Sequence, residues 1–266
     1  MTGQTERVEE IERYYKPVEN VEKWSLRFFW LSATLSLVVL YADLIPLTEL
    51  RDFPAILFVL SVIIHLVLAL YLRFYLMPLS EQKRRKQLLS DSFGIPLITE
   101  RTQNYYNNEL GPSVIRLGAN ILESAFFSKS ICDEMTRRER QKVLIYAIVW
   151  LLALFWRGTN LSLLLVITQI IFSGDVVIKW VSLEIMRSRH ENTYSELYQA
   201  FLHKVVFRKP TGIAVILDAF ASYEATKAES RIKLSSAVFF KLSPQLNQEW
   251  DKIRDKLGIN EVKVKR

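Results

Sequence analysis

Apolar residues in this chain gather in two blocks, and charges fill the stretches between and after them. Residues 28–41 (FFWLSATLSLVVLY) carry no charge, and the apolar run resumes after Asp43 as far as Leu47. Residues 53–72 (FPAILFVLSVIIHLVLALYL) form a run of twenty in which only His65 is ionisable. At 1.5 Å per residue that run spans about 30 Å, the hydrocarbon thickness of a bilayer. It is apolar all round, whereas a helix at the surface of a water-soluble core shows one polar face. A second pair follows at 143–156 (VLIYAIVWLLALFW) and 161–174 (LSLLLVITQIIFSG), each fourteen residues and so about 21 Å long. Arg157-Gly158-Thr159-Asn160 separates them and predicts the turn of a helical hairpin. Asp175 and Lys179 stand at i,i+4, close enough to pair, and end charges that snorkel lengthen the fourth segment. A re-entrant hairpin is the alternative, and it leaves the flanks on the same side.

The remaining chain also has helical spacing. Residues 80–89 read as a charged helix leaving the second span, broken at Ser90-Asp91-Ser92-Phe93-Gly94-Ile95-Pro96 because Gly and Pro punctuate helices. Ser113, after Gly111-Pro112, predicts an N-cap for a helix to about Met135. Val114, Leu117, Ile121, Leu122, Ala125 and Phe126 recur on one face of it. Three more helices are expected at about 180–206, 213–233 and 244–257, with Pro210-Thr211-Gly212 as a break. The fold class predicted is therefore all-α: four transmembrane helices in two pairs and a helical cytoplasmic domain. The divisions are an amino-terminal arm 1–27, a first helix pair 28–72, a middle segment 73–142, a second helix pair 143–181 and a carboxy-terminal segment 182–266.

Charge decides the orientation. The arm to Arg27 holds five Lys and Arg, residues 73–142 twelve and residues 182–266 fifteen; the two short loops hold only Arg51 and Arg157. The positive-inside rule then puts both termini and the middle segment in the cytoplasm of a multi-pass inner-membrane protein. Trp24, Trp30, Tyr41, Tyr71, Trp150, Trp156 and Trp180 stand near segment ends, as interfacial anchors do. The arm before the first apolar run is long and mixes acids with bases, unlike a cleavable signal peptide. A formal net charge of +7 finds its reason at an anionic membrane surface, and no nucleic acid polymer is expected as a partner.

Candidate chemistry is sparse. One cysteine, Cys132, excludes an internal disulfide, and three scattered histidines show no metal-ligand spacing. No catalytic triad, paired-carboxylate motif or phosphate-binding glycine loop is present, so no catalytic residue, cofactor or metal is expected. His65, Asp175 and Lys179 are the ionisable groups at membrane depth, where such residues line polar paths or pair across helices. Arg84, Arg85, Lys86 and Arg137, Arg138, Arg140 are juxtamembrane clusters that suit anionic lipid, or equally a phosphorylated ligand. The most distinctive stretch joins Ser90-Asp91-Ser92-Phe93-Gly94 to Tyr105-Tyr106-Asn107-Asn108 and to Asn120, Glu123 and Ser124. It reads either as a capped turn with packing residues or as a gating elbow in which Asp91, Phe93 and Gly94 matter.

This SDSFG…YYNN…ILES pattern, with four spans in a two-plus-two arrangement and an all-helical inner domain, resembles bacterial membrane effectors of antiviral defence. The nearest such family is the SMODS-associated four-transmembrane effectors. The resemblance covers the architecture and about seventy residues of the middle segment. It implies activation by a cyclic nucleotide from a partner synthase and loss of inner-membrane integrity. Four short helices cannot enclose a pore alone, so a homo-oligomer is expected, and the missing catalytic motifs predict a protein that is not an enzyme. A membrane-anchored scaffold that recruits a cytoplasmic protein partner is the other function these features fit.

Overall fold

A computed structural model describes residues 12–40, 52–98, 106–155, 162, 164, 168 and 176–259. Among these residues the regular structure is all helical, with no strand. The helices are α1 (Glu12–Leu40), α2 (Phe53–Tyr71), α3 (Met77–Phe93), α4 (Val114–Phe155), α5 (Val176–Leu202), α6 (Thr211–Ser230) and α7 (Ser236–Leu257).

Helices α2 and α3 form one rod through a π turn at Leu72–Leu76, where Met77 N–H reaches back to Leu72 O. Pro78 supplies the cause: it has no N–H to continue the ladder, and its ring crowds the carbonyl four residues before it. The rod Phe53–Phe93 is, among the described residues, the one helix long and apolar enough to cross a membrane.

The helix leaving this span runs further than its sequence predicts. Ser90 to Phe93 are its last turn, and the break falls at Gly94, with φ +66°. Ile95 N–H bonds Ser90 O at 3.2 Å, the long-range bond of a Schellman cap, which satisfies a carbonyl at the helix end. Helix α4 begins where expected, with Ser113 Oγ accepting from Arg116 N–H at 3.1 Å, but it continues unbroken for 42 residues. The apolar face predicted for its first half is buried at Leu117, Ile121, Leu122, Ala125 and Phe126. Helix α7 starts at Ser236, eight residues before the expected Pro244. Ser235 caps it, and Ser243 Oγ takes the Phe240 carbonyl that Pro244 cannot serve.

The chain divides into two compact units. Unit 1 comprises residues 1–14, 78–136 and 182–266; unit 2 comprises 15–77 and 137–181. Unit 1 buries large apolar side chains in two clusters. One gathers Leu88, Leu117, Ile121, Leu122, Phe201, Ile216 and Trp250 among others, and the other Ile131, Met135, Leu183 and Val238. In unit 2 the pattern is turned round. Helix α2 buries Ser61 alone, and α1 buries Ser25, Ser32 and Ala33 beside Val18. Its exposed residues are Ile56, Val59, Leu60, Ile63, Leu66 and Val67 on α2, and Leu144, Ile145, Ile148, Leu152 and Phe155 on α4. Helices α1 and α2 run antiparallel: Ser25 meets His65, and a turn or two toward the amino end of α1, Val18 packs with Leu76.

Candidate functional site

The SDSFG segment, Asn107-Asn108 and the start of α4 close into one polar network within unit 1. Asn120 is fully buried on α4. Its amide donates to Asp91 Oδ2 at 3.1 Å and Ser92 Oγ at 3.0 Å, and its oxygen accepts from Asn108 Nδ2 at 2.8 Å. Glu123, one turn on, accepts from Asn107 N–H at 3.1 Å and from its side-chain amide at 2.9 Å. Arg116 pairs with Asp91 at 3.2 Å, and Ser113 N–H bonds Ser92 O at 3.1 Å. Phe93 packs on the adjoining apolar cluster. A Cβ on Gly94 would lie 3.0 Å from Pro112 Cγ, in a backbone region that already favours glycine. The motif residues therefore meet, and what they do locally is end α3, hold the loop and fix the start of α4. Tyr105 lies outside the described residues.

The basic clusters differ from each other. Arg84 is not presented to a lipid surface: its guanidinium bonds Glu81 at 2.7 Å and Glu224 at 2.8 Å, and Arg85 lies 3.3 Å from the second oxygen of Glu224. Lys86 is exposed, as are Arg137, Arg138 and Arg140 on α4. Neighbouring Lys142 pairs with Glu139 at 2.8 Å.

Of the polar groups expected at membrane depth, His65 Nδ1 lies 2.9 Å from the Ser25 carbonyl, to which an N–H there donates, and 3.1 Å from the Ser25 hydroxyl, and its ring lies against Phe29. Lys179 Nζ is 3.6 Å from Glu22 Oε1, a partner on α1 that no sequence spacing indicates. Asp175 lies outside the described residues. In the second pair, Trp150 Nε1 donates to Thr168 Oγ1 at 2.9 Å.

The structure also collects residues that sequence reasoning passed over. Beside the first apolar cluster of unit 1 lies a polar layer built on Tyr223 of α6, itself a member of that cluster. The His190 ring sits 5.1 Å from its ring, Ser128 Oγ is 3.3 Å from its hydroxyl, and the Arg84 guanidinium lies over its face at 5.5 Å. Cys132 and Thr136 continue the Ser128 stripe along α4 at i+4 and i+8, and Lys227 follows Tyr223 at i+4 on α6. A signal existed: buried positions on α6 run Gly212, Ile216, Ala219, Tyr223, Thr226 and Lys227, so the helical period continues after the apolar letters stop. Burial, with Lys227 and Arg84 adding to it, pushes His190 down to about 3. Burial pushes the Cys132 thiol up to about 12. At neutral pH the layer thus holds an uncharged imidazole and a protonated thiol, neither poised as a nucleophile. Among the described residues no set of three His, Cys, Asp or Glu could hold a metal ion. No protein-family model, curated protein or solved structure matches this chain.

Proposed function

We propose that the chain is a four-span membrane effector that oligomerises and permeabilises the inner membrane when triggered, with both termini and unit 1 in the cytoplasm. The observation that carries the membrane part is the reversed burial of the apolar runs of unit 2, where Ser32, Ala33 and Ser61 are inside and leucine, isoleucine, valine and phenylalanine outside. In water such an exterior is a large exposed apolar patch. In lipid it is the ordinary surface, and small residues at the helix contact let two backbones approach. The Trp150–Thr168 bond supports a hairpin for the second pair. The asymmetry of Lys and Arg supports the orientation. The permeabilising output and the bacterial antiviral setting rest on the resemblance of the SDSFG…YYNN…ILES pattern, and a cyclic nucleotide as trigger rests there too. Two short helix pairs cannot enclose a pore, so association of copies within the bilayer belongs to the reading.

Two measurements test it. Maleimide that cannot cross membranes, applied to intact cells on a Cys132→Ser background, labels Thr48→Cys and leaves the exposed inner site Lys86→Cys untouched. The reverse pattern removes the topology. In cells challenged with phage, a potential-sensitive dye reports depolarisation together with cross-linked oligomers of the chain. Membrane retention with an undisturbed potential under every challenge removes the pore and leaves the membrane-anchored scaffold.

A further inference from the structure

We propose that the polar layer of unit 1 is a binding site for a phosphate-class oxyanion, held by the ammonium of Lys227 and the imidazole of His190. The layer lies wholly within unit 1, and its charges do not balance. Arg84 is taken by Glu81 and Glu224, and Arg85 by the second oxygen of Glu224. Lys227 is 7% exposed, and no carboxylate pairs with it among the described residues. The acid three residues earlier on its own helix is Glu224, already engaged by the two arginines. A largely buried lysine without a carboxylate partner offers an anion a point of attachment.

The second observation is independent. His190 is fully buried, and neither ring nitrogen has a hydrogen-bond partner. Thr136 Oγ1, on the polar stripe of α4, has none either. An ammonium, an imidazole N–H and a hydroxyl are donors awaiting acceptor oxygens, and a tetrahedral oxyanion offers several in a small volume. A cation is disfavoured, because the two carboxylates of the layer are committed to arginine.

The charges that act on His190 are Glu81 and Arg84 from α3 and Lys227 from α6, and the Tyr223 ring of α6 lies against it. Two of them are cations that resist its protonation. A bound anion offsets them, so anion binding and proton uptake by His190 assist each other, and affinity rises as pH falls.

The test uses the full chain in a neutral detergent. Sulfate, which keeps its charge across the range, and inorganic phosphate are titrated against chloride at equal ionic strength. Thermal midpoint and calorimetry are read at pH 7.5 and 6.0. The expected result is saturable sulfate binding at millimolar concentration or below, tighter at pH 6.0. Lys227→Met should weaken it roughly tenfold or more, the loss of a charged partner, with Lys227→Arg restoring most of it. His190→Gln should keep weakened binding and lose the pH dependence. A parallel arm places the chain in nanodiscs with and without phosphatidylglycerol. Stabilisation by that lipid which Lys227→Met abolishes, without a response to free anion, assigns the phosphate to a headgroup. No saturable response in either arm overturns the site, as does a response that Lys227→Met leaves unchanged, which marks an adventitious ion only.

Discussion

The two units of this chain use the same helix and the same apolar residues in opposite senses. In unit 1 the largest fully buried side chain is Trp250, in one cluster with Leu122, Phe126 and Leu246. In unit 2 the deepest residue of the long apolar helix is Ser61, 2% exposed, while Ile63 beside it is 50% exposed. Water drives apolar surface inward, and at about 25 cal/mol per Å2 this is the main stabilising term of unit 1. No such term acts between helices in a hydrocarbon solvent, where close approach of small residues and a few hydrogen bonds do the joining. On the proposed membrane reading, Ser25 with His65 and Trp150 with Thr168 are bonds of that kind. The polar contents differ accordingly. Unit 2 satisfies its polar groups one pair at a time, whereas unit 1 carries an extended network at Asn120 and an incompletely paired layer at His190.

The largest effect that would break this contrast concerns truncation. Trp250→Ala should cost about 3–5 kcal/mol through lost burial and the cavity left behind. Leu152→Ala, at a residue 65% exposed, should cost less than about 0.5 kcal/mol in detergent. Thermal unfolding of the two variants decides it; equal losses would mean that Leu152 is covered by protein.

The next concerns charge. Ile63→Lys should raise the free energy of membrane insertion by about 3 kcal/mol, because the position is near the middle of the apolar run. The same change on an ordinary wet surface is close to neutral. A glycosylation-based insertion assay reads the difference, and unimpaired insertion would place that face of α2 in water.

The third sharpens the description of unit 1. His190 lies near 3 in the folded chain against an ordinary 6.5. Between those values the unfolded chain binds a proton that the folded chain refuses, so stability is full above about pH 6.5 and falls with pH. The loss is about 2 kcal/mol by pH 5. Denaturant titration from pH 7.5 to 5.0 measures it, and His190→Leu should flatten that part of the profile. An unchanged slope would show that His190 is solvated.

Much of this was readable in the letters. Residues 53–72 are apolar at every position but Ser61 and His65, a pattern that suits a helix in hydrocarbon or in a large core. Ser113 after Gly-Pro announced the start of α4, because the orphan N–H groups of a first turn need a local acceptor. Gly94 marked an end because a positive φ suits a residue without Cβ. The limits were set wherever a local signal met a longer-range one. Pro244 was expected to open a helix and Pro78 carried no reading, yet the helix runs past each, by a π turn at Pro78 and by a serine that takes the carbonyl Pro244 cannot serve.

What the sequence determined by itself, then, is the helical class, the places of the apolar runs and the caps, since these depend on spacing within a few residues. What only the tertiary structure decided is which charges find partners. Arg84 reaches Glu224 across 140 positions, Lys179 reaches Glu22, and Asn120 ties a helix end to a loop. Lys227 ends up inside because α6 keeps its period after its apolar residues run out, and His190 does so because it stands on the buried face of α5 with Leu183, Met186 and Leu197. Pairing and burial of that kind are settled by which helix faces meet, and a one-dimensional pattern of residue types does not contain the choice of faces.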